Sequence, residues 1–179
     1  MSSNRDTTGV RELRLDPGAQ ALLSLDTMQS PFRELPPSAY ANLLVVSSTA
    51  PDDVASVLDD AGADLSRVGQ IPITGSEVDY DGPMLTSAPV VPDDLTGLSM
   101  RLSRVVNSLG AGRGWLVFDN LNVFLLYARE DRVLRFFDHV ATLARNHEIY
   151  GVYTLVRDAI DDQTYERLRR SFDVEVDRR

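Results

Sequence analysis

The sequence contains no cysteine and no lysine. Without cysteine there is no disulfide frame, no thiolate metal ligand and no cysteine nucleophile. Without lysine, all 18 basic residues are arginine, and any site that depends on a lysine ammonium is excluded. Glycine is missing from the whole stretch between Ala19 and Ala61. No apolar run approaches the roughly 18–20 residues that a membrane-spanning helix needs. Met1-Ser2-Ser3-Asn4-Arg5-Asp6 has no apolar stretch behind it, so no secretory leader is expected and a cytoplasmic location is. What is present suits a folded protein: 179 residues, 43% hydrophobic, enough for one ordinary domain with a buried core.

The charge is lopsided in kind as well as in sum. Twenty Asp and seven Glu face the 18 Arg, for a net charge of −9. Acid pairs recur at Asp52-Asp53, Asp59-Asp60, Asp93-Asp94 and Asp161-Asp162. An Asp-rich, Lys-free surface resembles proteins that work in very high salt, as in halophilic archaea. There the Debye length falls to about 3 Å at 1 M salt, which screens self-repulsion. A GC-rich coding bias would also exchange Lys for Arg. Either origin makes the chain a poor match for nucleic acid or anionic lipid.

Met1–Arg14 is polar and reads as a mobile arm, residues 1–14, ahead of one domain over 15–179. Short apolar runs near 21–25, 42–47, 68–73, 114–118, 149–155 and 172–176 read as strands. They are continuous rather than alternating, as expected for a parallel sheet covered on both faces. Between them lie helical patterns. Pro51 with Asp52 and Asp53 opens one that Gly62 can end. Asp93 or Asp94 caps another, whose stripe runs through Leu95, Leu98, Leu102, Val105, Val106 and Leu109. Leu121–Tyr127 reads as a helical turn or two. Glu130-Asp131 opens a helix with Val133, Phe136, Phe137, Val140 and Ala144 inside, and Asp161–Arg170 reads as a last one. A short strand is expected within Met84–Ala88. Pro31, Pro36 and Pro37 argue against a long helix over 26–41. The alternation predicts a three-layer α/β/α domain with a mainly parallel sheet.

Two features bear on chemistry. Trp115-Leu116-Val117-Phe118-Asp119 has the Walker B form, four apolar residues ending in Asp. Such an Asp at the carboxyl edge of a central strand can hold a Mg²⁺-bound water beside a phosphate, although a turn cap at Asp119-Asn120 gives the same pattern. The second feature is an absence. A P-loop needs G-x-x-x-x-G-K-[ST] after the first strand, so that backbone N–H groups and a Lys grip the phosphates. Here Leu25 is followed by Asp26-Thr27-Met28-Gln29-Ser30-Pro31-Phe32-Arg33. Asp26 repels phosphate and Pro31 lacks an N–H. Arg33 is a cation, on a longer planar head.

Several segments together carry a resemblance: Asp94-Leu95-Thr96, Trp115 to Leu121, Phe124-Leu125-Leu126-Tyr127, Val133 to Phe137, Asp161-Asp162, and Phe172-Asp173. In this order they resemble the RecA-type fold of KaiC-like ATPases, nearest to small relatives in halophilic archaea. The likeness runs from about Leu15 to Asp177 and is best after Asp93. Active members carry Gly and Lys where this chain has Asp26–Arg33, and Ser where it has Asn120. The resemblance therefore implies a RecA-like scaffold without ATPase activity, with Asp119, Asn120, Ser30 and Arg33 as vestigial site residues. It also implies a protein partner, either a KaiC-like relative or another copy of the chain.

Other constellations are weak. His139 and His147 are eight residues apart, about 80° around a helix, and form no metal pair. No Ser lies in a G-x-S-x-G elbow. Arg167, Arg169, Arg170, Arg178 and Arg179 could meet nucleic acid or an acidic partner, but the acids around them make a balanced surface the simpler reading. The chain is thus expected to be a non-catalytic regulatory or signalling module that acts through protein contacts, with no catalytic residue, no metal and no cofactor. The alternative is a nucleotide-binding switch or weak ATPase, with Arg33 and the backbone near Ser30 replacing the P-loop. Bulky Met28 and Phe32 are expected to plug the former phosphate cleft.

Overall fold

The computed structural model describes residues 12–179. Strands β1 (Gln20–Leu25), β2 (Leu43–Ser47), β3 (Val68–Pro72), β4 (Leu85–Thr86), β5 (Trp115–Asp119), β6 (Tyr150–Val156) and β7 (Val174–Asp177) form one sheet. Its order is β4-β3-β2-β5-β6-β1-β7, and every pairing is parallel. The three-layer α/β/α architecture expected from the sequence is the one observed. All six main strands fall within two residues of their expected ends.

The continuity of the apolar runs has its cause in this arrangement. Strands β1, β2 and β5 are covered on both faces, so successive side chains are buried alternately on one side and the other. Helices α2 (Leu95–Val105), α3 (Asn122–Tyr127), α4 (Glu130–Asn146) and α5 (Asp162–Leu168) belong to one face. Its core contains Leu44, Val46, Phe118, Phe137 and Tyr153, and Phe118 stacks on Tyr153 at 5.5 Å. Helix α1 (Pro51–Asp60) and two 3₁₀ turns, Pro31–Glu34 and Pro37–Ala41, cover the other. There Phe32, Leu35 and Ala39 pack with Leu23, Val45, Val54, Leu58, Val117 and Val152.

Local chemistry sets the boundaries. Pro51 stands in the first turn of α1, and Gly62 (φ 87°) ends the helix, with Ala63 N–H reaching back to Leu58 carbonyl at 3.0 Å. Asp94 caps α2 by accepting from Gly97 N–H at 2.9 Å. The prolines over 31–37 allow only 3₁₀ turns in place of a long helix.

The arm expected over 1–14 falls mainly on residues outside the described ones. Of the rest, Leu13 is buried, and its N–H donates to Glu34 carbonyl at 2.8 Å. The expected arm therefore does not extend through Leu13. No helix among the described residues is long and apolar enough to cross a membrane.

Candidate functional site

The carboxyl ends of β1, β2, β5 and β6 meet where the strand order reverses, the usual ligand position in open α/β sheets. The register aligns Ser47 with Asp119 across β2 and β5. Asp119 Oδ2 accepts from Ser47 Oγ at 2.9 Å and from Thr49 Oγ1 at 3.5 Å. Its Oδ1 lies 3.5 Å from Thr154 Oγ1 of β6. Three hydroxyls thus surround one carboxylate. Burial pushes the Asp119 carboxyl above the usual carboxylate range, and the hydroxyl bonds only partly offset that.

Asn120 follows in the left-handed region at φ 69°, a conformation that Asn tolerates better than most residues. Its N–H donates to Thr154 Oγ1 at 2.8 Å, and its Oδ1 accepts from Asn122 N–H at 3.2 Å. Asn122 in turn exchanges two bonds with the backbone of Val156, at 2.8 and 3.2 Å. With the Leu121 N–H to Thr154 carbonyl bond at 2.8 Å, these side chains extend the β5–β6 pairing past its last ladder pair and fix Asp119 and the start of α3.

A cleft of about 310 Å³ opens beside Asp119. It is lined by the 27–32 loop, by Ser48 and Thr49, by Asp53 and Val57 of α1, and by Asp119 and Asn120. The expected plug is absent, and this corrects the sequence reading. Met28 is 93% exposed and stands at the rim. Phe32 is buried in the core beneath α1 and forms part of the cleft wall. The turn at Ser30-Pro31 causes this, since Ser30 Oγ caps it by accepting from Phe32 N–H at 3.3 Å.

Of the four residues singled out in the sequence, Ser30, Asp119 and Asn120 share the cleft. Arg33 does not: it is exposed on the first 3₁₀ turn and is not part of the lining. Sequence reasoning missed Ser47, Thr49 and Thr154. Their signal was a hydroxyl residue at or near the end of an apolar strand run.

The cleft lining carries negative charge. The lining has two carboxylates, Asp53 and Asp119, and no cation. Two backbone N–H groups of the loop are taken within it: Asp26 N–H donates to Gln29 Oε1 at 2.7 Å and Gln29 N–H to Asp26 carbonyl at 3.1 Å. Phe32 N–H is taken by Ser30, and Pro31 has none. Among the described residues no cluster of His, Asp and Glu could hold a metal ion, and His147 Nδ1 instead lies 2.9 Å from Leu143 carbonyl.

The terminal arginines are largely neutralised. Arg167 pairs with Glu130, Arg169 with Glu166 and Glu175, Arg178 with Glu34, and Arg179 with Asp158 and Asp177, all at 2.8–3.3 Å.

The sheet order, the flanking helices and the switch-point cleft define an α/β protein of the RecA and KaiC-like fold. A KaiC-like protein from Pyrococcus horikoshii OT3, PH0186, is similar over 90% of this chain and 73% of its own, at TM-score 0.57 and 14% identity. The protein of structural project PH0250 from the same organism is similar over 90% of this chain and 83% of its own, at TM-score 0.59 and 13% identity. By sequence, the chain belongs to the family of unknown function DUF7504, whose model matches residues 24–177. No curated protein matches the sequence.

Proposed function

We propose that this chain is a non-catalytic RecA-like module that regulates or signals by docking another protein at its carboxyl-edge cleft. The observation that carries the reading is the lining: Met28 and Val57 exposed beside hydroxyls, Asp53 and Asp119, with no cation. Apolar side chains rimmed by polar groups suit a protein contact, whereas two carboxylates repel a polyphosphate. A partner segment carrying a cation and an apolar anchor has the complementary chemistry. Leu126 and Tyr127, 78% and 64% exposed at the end of α3, add a second apolar patch on the element that leaves β5.

Size-exclusion chromatography with light scattering in molar salt, combined with affinity capture from the native host, tests this. The expected result is a defined complex, with a KaiC-like relative or a second copy, that Met28→Asp and Asp119→Arg both disrupt. A strict monomer that captures nothing argues against docking.

One observation favours a second reading, a nucleotide-binding switch or weak ATPase: the cleft beside the Walker B-like Asp119 is open. Saturable binding of ATP or GTP with Mg²⁺, lost in Asp119→Ala, would select that reading over docking.

A further inference from the structure

A larger concavity, about 580 Å³, lies toward the opposite end of the sheet. It is bounded by the amino ends of β2 and β3, by β4 and by the last turns of α2. Its size is within the range of small-molecule sites. Leu44 lies in the sheet beneath it, Leu85 is at the rim, and Val105 and Leu109 form the helix wall.

Gly69 lies in the floor of the groove. A Cβ at this position would meet only Leu44 Cδ1 and Leu85 carbonyl, both at 3.6 Å, ordinary van der Waals contact. Neither backbone conformation nor close packing therefore requires glycine here. Gly151 in β6 is the contrast, since a Cβ there would collide with the Gln20 side chain. Leu85, whose carbonyl lies beside Gly69, stands 73% exposed at the groove.

The charges in the lining are of one sign. In an acid-rich chain, the only charged residues here are Arg67 and Arg101. Arg67 pairs with Asp64 at 3.8 Å on the outside. Arg101 is half-buried, and its partners are neutral oxygens, Ser87 Oγ at 3.1 Å and the Ala88 carbonyl. Both bonds use one guanidinium nitrogen, and Arg101 makes no ion pair among the described residues. An arginine has five donors, so most of its capacity is unspent. An apolar groove with one such arginine is complementary to an apolar body with an anionic head.

We infer that this groove binds a small amphipathic carboxylate, its apolar body over Gly69 and its carboxylate on Arg101. The site does not depend on the docking role of the carboxyl-edge cleft.

Titration calorimetry with decanoate, octanoate and decanol tests the inference. Decanoate should bind one saturable site, and octanoate about tenfold more weakly, from two fewer buried methylenes. Gly69→Leu should abolish binding while the chain still melts cooperatively. Val105→Phe, which fills the same space from the helix, serves if Gly69→Leu does not fold. Arg101→Gln should weaken decanoate about tenfold and leave decanol unchanged. The inference is overturned by absence of a saturable site, by binding that survives the filling substitutions, or by equal loss of both ligands in Arg101→Gln. A dimer seen by light scattering, dissolved by Gly69→Leu in the absence of ligand, would assign the groove to a second copy and overturn it as well.

Discussion

Ser47 Oγ donates a 2.9 Å hydrogen bond to Asp119 Oδ2, joining the last residues of two adjacent strands at the carboxyl edge of the sheet. Ser47 Oγ also accepts from Thr49 N–H at 3.0 Å, so the same hydroxyl shapes the turn into α1. The Asp119 carboxylate is tied into the scaffold by hydroxyl donors. Its charge still carries a burial cost.

That cost makes a pH-dependent prediction. Burial raises the folded-state affinity of Asp119 for its proton. The favourable contribution of this group is therefore full below the ordinary Asp value of about 3.9, and is lost as pH rises through the raised folded value. Asp119→Asn removes the charge and keeps an acceptor for Ser47. The variant should melt above the wild type at pH 7, and the gap should narrow toward pH 4. A variant less stable than the wild type at pH 7 would mean that the hydroxyl bonds outweigh burial.

A second prediction concerns the middle of the sheet. Tyr153 OH donates to Gln20 Oε1 at 2.7 Å, and Gln20 Nε2 donates to Gly18 and Ile149 carbonyls at 2.9 and 2.8 Å. Gln20 and Tyr153 are fully buried, and burial pushes the Tyr153 phenol upward. Tyr153→Phe strands Gln20 Oε1 without a donor and should cost about 1–3 kcal/mol in urea unfolding. Gly151→Ala drives a methyl into Gln20 and should cost at least as much. Unchanged midpoints would show that water or rearrangement satisfies Gln20.

Salt provides a third. Asp52, Asp53, Asp59 and Asp60 crowd the exposed side of α1, and none forms an ion pair among the described residues. The ion pairs elsewhere are mostly exposed, where each is worth about 0–1 kcal/mol. Screening should thus relieve more repulsion than it removes attraction, and the melting temperature should rise from 0.2 to 2 M KCl. A falling melting temperature would contradict the high-salt reading of the composition.

The strands were legible because a doubly covered parallel strand is an unbroken apolar run, as in Leu43–Val46 and Trp115–Phe118. Helix ends were legible where capping chemistry is local, at Asp94 and Gly62. The cleft was legible in part. Asp119 could be placed because a strand's last residue lies at the sheet edge by necessity. The hydroxyl ring could not, because it depends on which strands are neighbours: Thr154 reaches Asp119 only because β6 lies beside β5. The expected plug failed for a related reason. Side-chain volume was readable at Met28 and Phe32, but their direction is set by the capped turn at Ser30-Pro31, which sends one outward and the other into the core. Gln20 and Tyr153 gave no local sign of being partners across 133 residues.

The proposed docking role rests on a cleft that does not grip triphosphate, set in a RecA-like scaffold. Titration calorimetry with ATP and Mg²⁺ in molar KCl tests it most directly, with Asp119→Ala as the control. No saturable heat of binding is expected for either protein. Stoichiometric binding by the wild type that disappears in Asp119→Ala would contradict the claim.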